Sequence, residues 1–148
     1  MHRVDRSLLV PYSDAQMFAL VRDVERYPQF LPWCPSTQVQ AGGADGDIDA
    51  RVDIAYLGVR SHFTTHNVHV HPSRIELHLV DGPFRRLQGN WTFRALGPQA
   101  CKVSLELEYG FGAGLLGRAI APVFERVANS LVDAFAARAQ DLYGIVEP

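Results

Sequence analysis

His69 and His71, two residues apart on one expected strand face with Glu76 and His78 on the next strand, are this chain's closest approach to a metal-binding pattern. A catalytic zinc wants three protein ligands and an open position. Nothing in the spacing fixes a third ligand, so these residues read as a solvated polar face and no metal is expected. His66 differs. Parity sends Val68, Val70, Ile75, Leu77 and Leu79 inward and Asn67, His69, His71, Arg74, Glu76 and His78 outward, which places His66 and Thr64 on the apolar side. A neutral imidazole there could donate to a ligand carbonyl; the plainer reading is a buried histidine satisfied within the fold. Arg85 and Arg86 follow the Gly82-Pro83-Phe84 turn and could grip a phosphate or an RNA backbone, against a default of solvated charge. Asp45, Asp47, Asp49 and Asp53 gather carboxylates, but most of them alternate with apolar positions and so face water. No Gly-x-Ser-x-Gly elbow, Walker loop or dinucleotide fingerprint appears, and no catalytic residue is assigned.

The remaining candidates are apolar. Tyr56, Leu77, Leu79, Trp91, Phe93, Tyr109, Phe124, Val127 and Leu131 share the expected inner face. They are either ordinary core or the wall of a ligand pocket, since pockets too are mostly apolar with a few polar groups. Trp33 sits in a loop crowded with Tyr27 and Phe30 and is either a lid on a cavity mouth or a plug packed on the sheet.

These side chains need elements to hold them. From Cys101 the odd positions Val103, Leu105, Leu107, Tyr109 and Phe111 are apolar while Lys102, Ser104, Glu106 and Glu108 are polar. That is a half-buried strand. Leu87, Trp91 and Phe93 mark another, and Ile48, Ala50, Val52, Ile54 and Tyr56 a third. Leu116, Ile120, Phe124, Val127, Leu131, Phe135 and Leu142 recur every three or four residues, the stripe of a long amphipathic helix. Pro122 within it predicts a kink or a separate first turn. Near the start, Val4, Leu8 and Val10 form a strand; Ser13 and Gln16 then have capping-box spacing ahead of a helix. Pro28, Pro32 and Pro35 allow only a short helix or turn over Glu25–Leu31. Turns at Gly42–Gly46, Gly58, Pro72-Ser73, Asp81–Pro83 and Gly97–Gln99 join successive strands closely enough for antiparallel neighbours. The order is strand, helix, short helix, six strands, long helix: an α+β fold whose single sheet has one helix laid across its concave face.

A chain of 148 residues suits one domain, 1–148, large enough to need no disulfide. Cys34 and Cys101 match neither a disulfide framework nor a zinc pattern. The start of the chain is charged where a signal peptide would be apolar, and no run approaches the ~20 apolar residues of a membrane span. A cytoplasmic protein is expected, with transient membrane contact still open. Net charge is −2 and Lys102 is the single lysine, which leaves no basic stripe for DNA. Any RNA contact would be local.

Three strings resemble a known family: Tyr27-Pro28-Gln29-Phe30-Leu31-Pro32-Trp33-Cys34, Asp81-Gly82-Pro83-Phe84-Arg85-Arg86-Leu87-Gln88-Gly89-Asn90-Trp91-Thr92-Phe93, and Pro122-Val123-Phe124-Glu125-Arg126-Val127-Ala128. They are similar to the coenzyme-Q-binding START-like family, which includes mitochondrial quinone-binding proteins and bacterial ribosome-association toxins within the polyketide-cyclase-like superfamily. The resemblance implies a helix-grip fold, a curved seven-stranded antiparallel sheet around the C-terminal helix and a cavity. It also implies a function. The leading expectation is a non-catalytic binder of a polyprenyl quinone such as ubiquinone, supporting respiration, with Trp33, Tyr56, His66, Leu77, Leu79, Trp91, Phe93, Tyr109, Phe124, Val127 and Leu131 lining the cavity. The alternative is a regulator that binds a ribosomal subunit, through Arg85 and Arg86 among others, and inhibits subunit association. A cyclase-like or hydratase-like enzyme ranks third. No cofactor is required on any of these readings beyond a bound isoprenoid lipid.

Overall fold

Strict alternation along the last third of the chain builds the strand that organises everything else. The computed structural model describes residues 2–43, 46–112 and 114–144. Ala44 and Asp45, assigned above to a turn and an acidic cluster, lie outside the described residues. Strand β1 (His2–Val10) leads to helix α1 (Asp14–Arg22) and a 3-10 helix (Val24–Gln29). Strands β2 (Thr37–Ala41), β3 (Ile48–Tyr56), β4 (Val59–Val70), β5 (Arg74–Asp81), β6 (Phe84–Gly97) and β7 (Ala100–Phe111) follow, then helix α2 (Leu115–Tyr143). The strands form one antiparallel sheet in the order β1-β7-β6-β5-β4-β3-β2. This is the α+β helix-grip architecture the sequence predicted.

Local chemistry accounts for the element ends. The Ser13 hydroxyl accepts from the Gln16 amide at 3.1 Å, and the Gln16 side chain accepts from the Ser13 amide at 2.9 Å. That reciprocal cap starts α1, which buries Met17, Phe18, Leu20 and Val21. Pro28 confines the next segment to 3-10 geometry. On β7, Cys101, Val103, Leu105, Leu107 and Tyr109 are all buried, and on β6 so are Leu87, Trp91 and Phe93. These rows form the floor of the core, and α2 forms its roof with Ile120, Phe124, Val127, Ala128, Val132, Phe135 and Ala139.

Several expectations are corrected. Leu8, Leu116 and Leu142 are exposed, so the buried stripe of α2 runs through Gly117 and Ala139 at its ends rather than through leucines. At Gly117 the helix lies close to other backbone: a Cβ there would come within 2.6 Å of the Gly112 carbonyl oxygen. α2 is one continuous element through Pro122, without a separate first turn. Parity on β4 is shifted by one residue. His69 pairs with Ile75, Asn67 with Leu77 and Thr65 with Leu79, so Phe63, Thr65, Asn67 and His69 face inward and Val68 and Val70 outward. The apolar side of a strand is usually its buried side, but here the inner face of β4 carries the buried polar residues Thr65 and Asn67.

Candidate functional site

The site begins where β3–β7 curve away from α2. Their inner faces and the helix enclose a cavity of about 70 Å³. Trp91, Leu87, Leu105 and Leu107 line it from the sheet floor, Phe124, Val127, Leu131 and Phe135 from α2, Tyr27 from the 3-10 helix and Trp33 from the loop before β2. Of the residues expected to line a cavity, the structure brings together Trp33, Leu77, Trp91, Phe124, Val127 and Leu131.

It does not bring in the other five. His66 points to the opposite face of the sheet, where its Nδ1 meets the Asp49 carboxylate at 2.8 Å. Phe93 is buried but under α1, with its ring 5.8 Å from Phe18. Tyr109 packs between His2 at 5.2 Å and Phe124 at 4.8 Å, toward the end of the sheet; burial and then the Glu125 charge raise its pKa above the ordinary phenol value. Leu79 lies level with Thr65 but outside the lining, and Tyr56 sits at the end of β3 beyond it. His69 and His71, expected in solvent, abut Phe18 of α1 at 6.0 and 4.9 Å. His69 Nδ1 pairs with the Gly46 carbonyl at 2.9 Å, and burial lowers the pKa of the ring.

Sequence reasoning missed the two polar residues of the lining, Thr65 and Asn67. They are 4% and 6% exposed, and the threonine hydroxyl donates to Asn67 Oδ1 at 2.6 Å. A hydroxyl and an amide carry three donor hydrogens between them, and the one bond they share uses one. The pair is therefore a polar spot in an apolar wall, able to donate to a neutral oxygen. The signal was in the sequence: Phe63, Thr65 and Asn67 share a parity, and Phe63 is the one large ring on that strand. No carboxylate or histidine lines the cavity among the described residues. Tyr27, the one phenol in the lining, donates its hydroxyl to the Val21 carbonyl, and burial raises its pKa. Among the described residues no three His, Cys, Asp or Glu side chains gather as a metal site.

The loop carrying Trp33 is tied down. The Ala55 amide donates to the Trp33 carbonyl at 2.9 Å and the Asp53 amide to the Ser36 carbonyl at 3.1 Å, so the loop runs as an irregular extension of β2. Beneath it Tyr27, Phe30 and Phe135 form a ring cluster with centroids 5.3 Å from Phe135, capped by the Arg138 guanidinium 5.0 Å from the Phe30 ring. Cys34 at the base of this loop is buried, and desolvation with the nearby Asp53 charge pushes its thiol up to about 11. Arg85 and Arg86 are exposed at the start of β6, where Arg85 is the extra residue of a bulge between Phe84 and Arg86. Arg86 reaches Glu108 at 3.9 Å.

Residues 10–136 match the family described as polyketide cyclase / dehydrase and lipid transport. The chain belongs to that family. It is 43% identical to the ribosome association toxin RatA of Pseudomonas aeruginosa over 95% of this chain and 97% of that protein. A more distant family relative is the mitochondrial coenzyme Q-binding protein coq10 of Schizosaccharomyces pombe, 25% identical over 90% of this chain and 84% of that one. Among solved structures, the Zhui aromatase/cyclase of Streptomyces sp. R1128 superposes with a TM-score of 0.81 at 15% identity, covering 94% of this chain and 93% of that chain. That likeness establishes the helix-grip fold of the family and nothing finer.

Proposed function

We propose that this protein is a toxin-like regulator that binds a ribosomal subunit and inhibits subunit association. The observation that carries the reading is the 43% identity with a protein named as a ribosome association toxin, sustained along 95% of this chain and 97% of that relative. The cavity supports it from the other side. Pockets that bury a drug-sized ligand usually measure about 300–1,000 Å³, and this one measures about 70 Å³. A polyprenyl chain adds roughly 0.8 kcal/mol per buried methylene only if there is room to bury it. A surface role needs no such room, and it would place the protein in the cytoplasm with the ribosome.

Arg85 and Arg86 are the first residues to test, because a bulged, exposed arginine pair beside a tight turn suits a phosphate backbone. Sedimentation of the protein with purified subunits at low salt should show it travelling with one of them. Charge reversal of both arginines should weaken that binding by roughly tenfold or more and flatten its salt dependence. Failure to co-sediment with either subunit at low salt would end the proposal.

A second reading, quinone binding, draws support from the coq10 relative and from the Thr65–Asn67 donors in an apolar wall. It requires the cavity to widen several-fold. Mass spectrometry of lipids carried by the purified protein separates the two: a stoichiometric polyprenyl quinone favours the carrier, an empty extract the regulator.

A further inference from the structure

Near the tip of the β6–β7 hairpin, Arg94 stands directly opposite Lys102, and Lys102 stands opposite Leu9 of β1. Strand β5 begins pairing at Arg74, opposite Thr92, so Arg94 has no paired residue on its other side. Phe93, Cys101 and Val103 beside them are buried, and alternation turns both cations to the outer face of the sheet. Both are exposed, and neither enters an ion pair among the described residues. Lys102 is also the single lysine of the chain.

Stability does not explain this pair. Residues directly opposite on one sheet face hold their Cβ atoms about 4.5–5.5 Å apart, and like charges there repel. Other cations on the same face have acids beside them: Arg3 has Asp5 at 3.9 Å, Arg74 has Glu76 at 3.0 Å and Arg86 has Glu108 at 3.9 Å. Next along the strands from Arg94 and Lys102 comes a row of hydroxyls, Thr92, Ser104 and Ser7, able to donate to an anion. The acidic row of Asp5, Glu106 and Glu76 lies beyond it, four residues or about 13 Å along the strands. Asp14 belongs to α1 on the inner side, where its charge acts on the buried Cys101.

We infer that this end of the outer face grips the phosphate backbone of ribosomal RNA, with Arg94 and Lys102 meeting phosphates and the hydroxyl row donating beside them. The inference rests on the ribosomal reading for its partner and adds a second contact, at the far end of β6 from Arg85 and Arg86. A guanidinium and an ammonium side by side suit phosphate oxygens, and serine and threonine hydroxyls commonly complete such contacts. An acidic protein surface would use the two charges and leave the hydroxyls idle. On a chain of net charge −2 the contact is local, a pair of phosphates rather than a long stripe.

The experiment compares the wild type with two variants, Arg94→Gln combined with Lys102→Gln, and Lys102→Glu alone. Each is titrated against purified ribosomal subunits and against ribosomal RNA freed of protein, over a series of salt concentrations. The double variant should bind both at least roughly tenfold more weakly at low salt, with a log–log salt slope smaller by about 1.5–2. Lys102→Glu should weaken binding at least as much while its thermal midpoint rises by roughly 1–3 °C, since an opposite charge then faces Arg94. Lost binding is thereby separated from lost folding. A double variant that binds subunits and RNA as the wild type does overturns the inference and leaves the ribosomal reading standing. A wild type that ignores both subunits yet binds free RNA through this pair ends the ribosomal reading and keeps the contact. Variants that release a subunit, when even the wild type leaves free RNA unbound, put the patch on protein and overturn the inference. A lower midpoint for Lys102→Glu would show the pair to be structural and would overturn it too.

Discussion

Phe135→Ala is expected to lower stability by about 3–5 kcal/mol, the cost of truncating a fully buried ring in a site that cannot collapse. Phe135 is wholly buried on α2 and lies 5.2 Å from Trp91 and 5.3 Å from both Tyr27 and Phe30. It joins three things at once: the helix, the sheet floor and the aromatic loop. Removing it enlarges a cavity it already borders, so neighbouring rings have no nearby mass to move into the gap. For a chain of this length the loss corresponds to a fall of roughly 10 °C or more in the thermal midpoint. Phe135→Leu keeps most of the volume and should cost about half as much or less. Urea unfolding of the two variants tests this; a loss below about 1 kcal/mol for the alanine variant would show that the ring is not the joint described here.

Gly89→Ala should be as damaging although it adds a single methyl group. Gly89 lies on the inner face of β6 opposite Leu107 and Leu77, one residue past the point where β5 and β6 stop pairing at His78↔Gln88. A Cβ there would stand 2.1 Å from the Glu106 carbonyl oxygen and 2.6 Å from Leu107 Cδ2. A side-chain tip can rotate away, but a backbone oxygen in the middle of a ladder cannot, so β6 and β7 would have to separate locally. Overpacking of this kind costs about 3 kcal/mol, and more where a ladder is broken. Gly97→Ala is the control: nothing lies within 4 Å of its added carbon, and the variant should behave as wild type. Soluble yield and denaturant midpoints of the pair decide the matter. Equal stability of the two variants would mean the strands do not approach as closely as described.

The fold was legible because its signals were redundant. β7 alternates over its whole length, the capping box before α1 is spelled out by Ser13 and Gln16, and Pro28 stops a longer helix. The site was legible in its apolar half. Trp33, Leu77, Trp91, Phe124, Val127 and Leu131 do meet around the cavity. The polar half was hidden by the very rule that found the rest. On β4 the rule that valines face in selected Val68 and Val70, and so turned His66 inward and Asn67 outward. The structure reverses both: Thr65 donates to Asn67 on the inside, while His66 meets Asp49 on the outside. Hydrogen bonding overruled hydropathy on a strand whose two faces differ little in apolar content. The ends of α2 failed similarly. Leu116 and Leu142 fit the helical period, but the buried residues at those ends are Gly117 and Ala139, and at Gly117 even a Cβ would meet the Gly112 carbonyl oxygen at 2.6 Å.

One feature of the topology bears on how the molecule is made. Strands β2 to β7 pair in the order they are synthesised, each waiting only for its neighbour. β1 is the exception: Val4 pairs with Leu107, about a hundred residues later. Until β7 has left the ribosome, the edge of β1 and its apolar Val4 and Val10 have no partner, and closing so long a loop is an entropic cost met late. The nascent chain thus carries an unpaired strand through most of its translation. The charges of Arg3, Asp5 and Arg6 on that strand suit the wait, since they discourage a stray pairing with another chain.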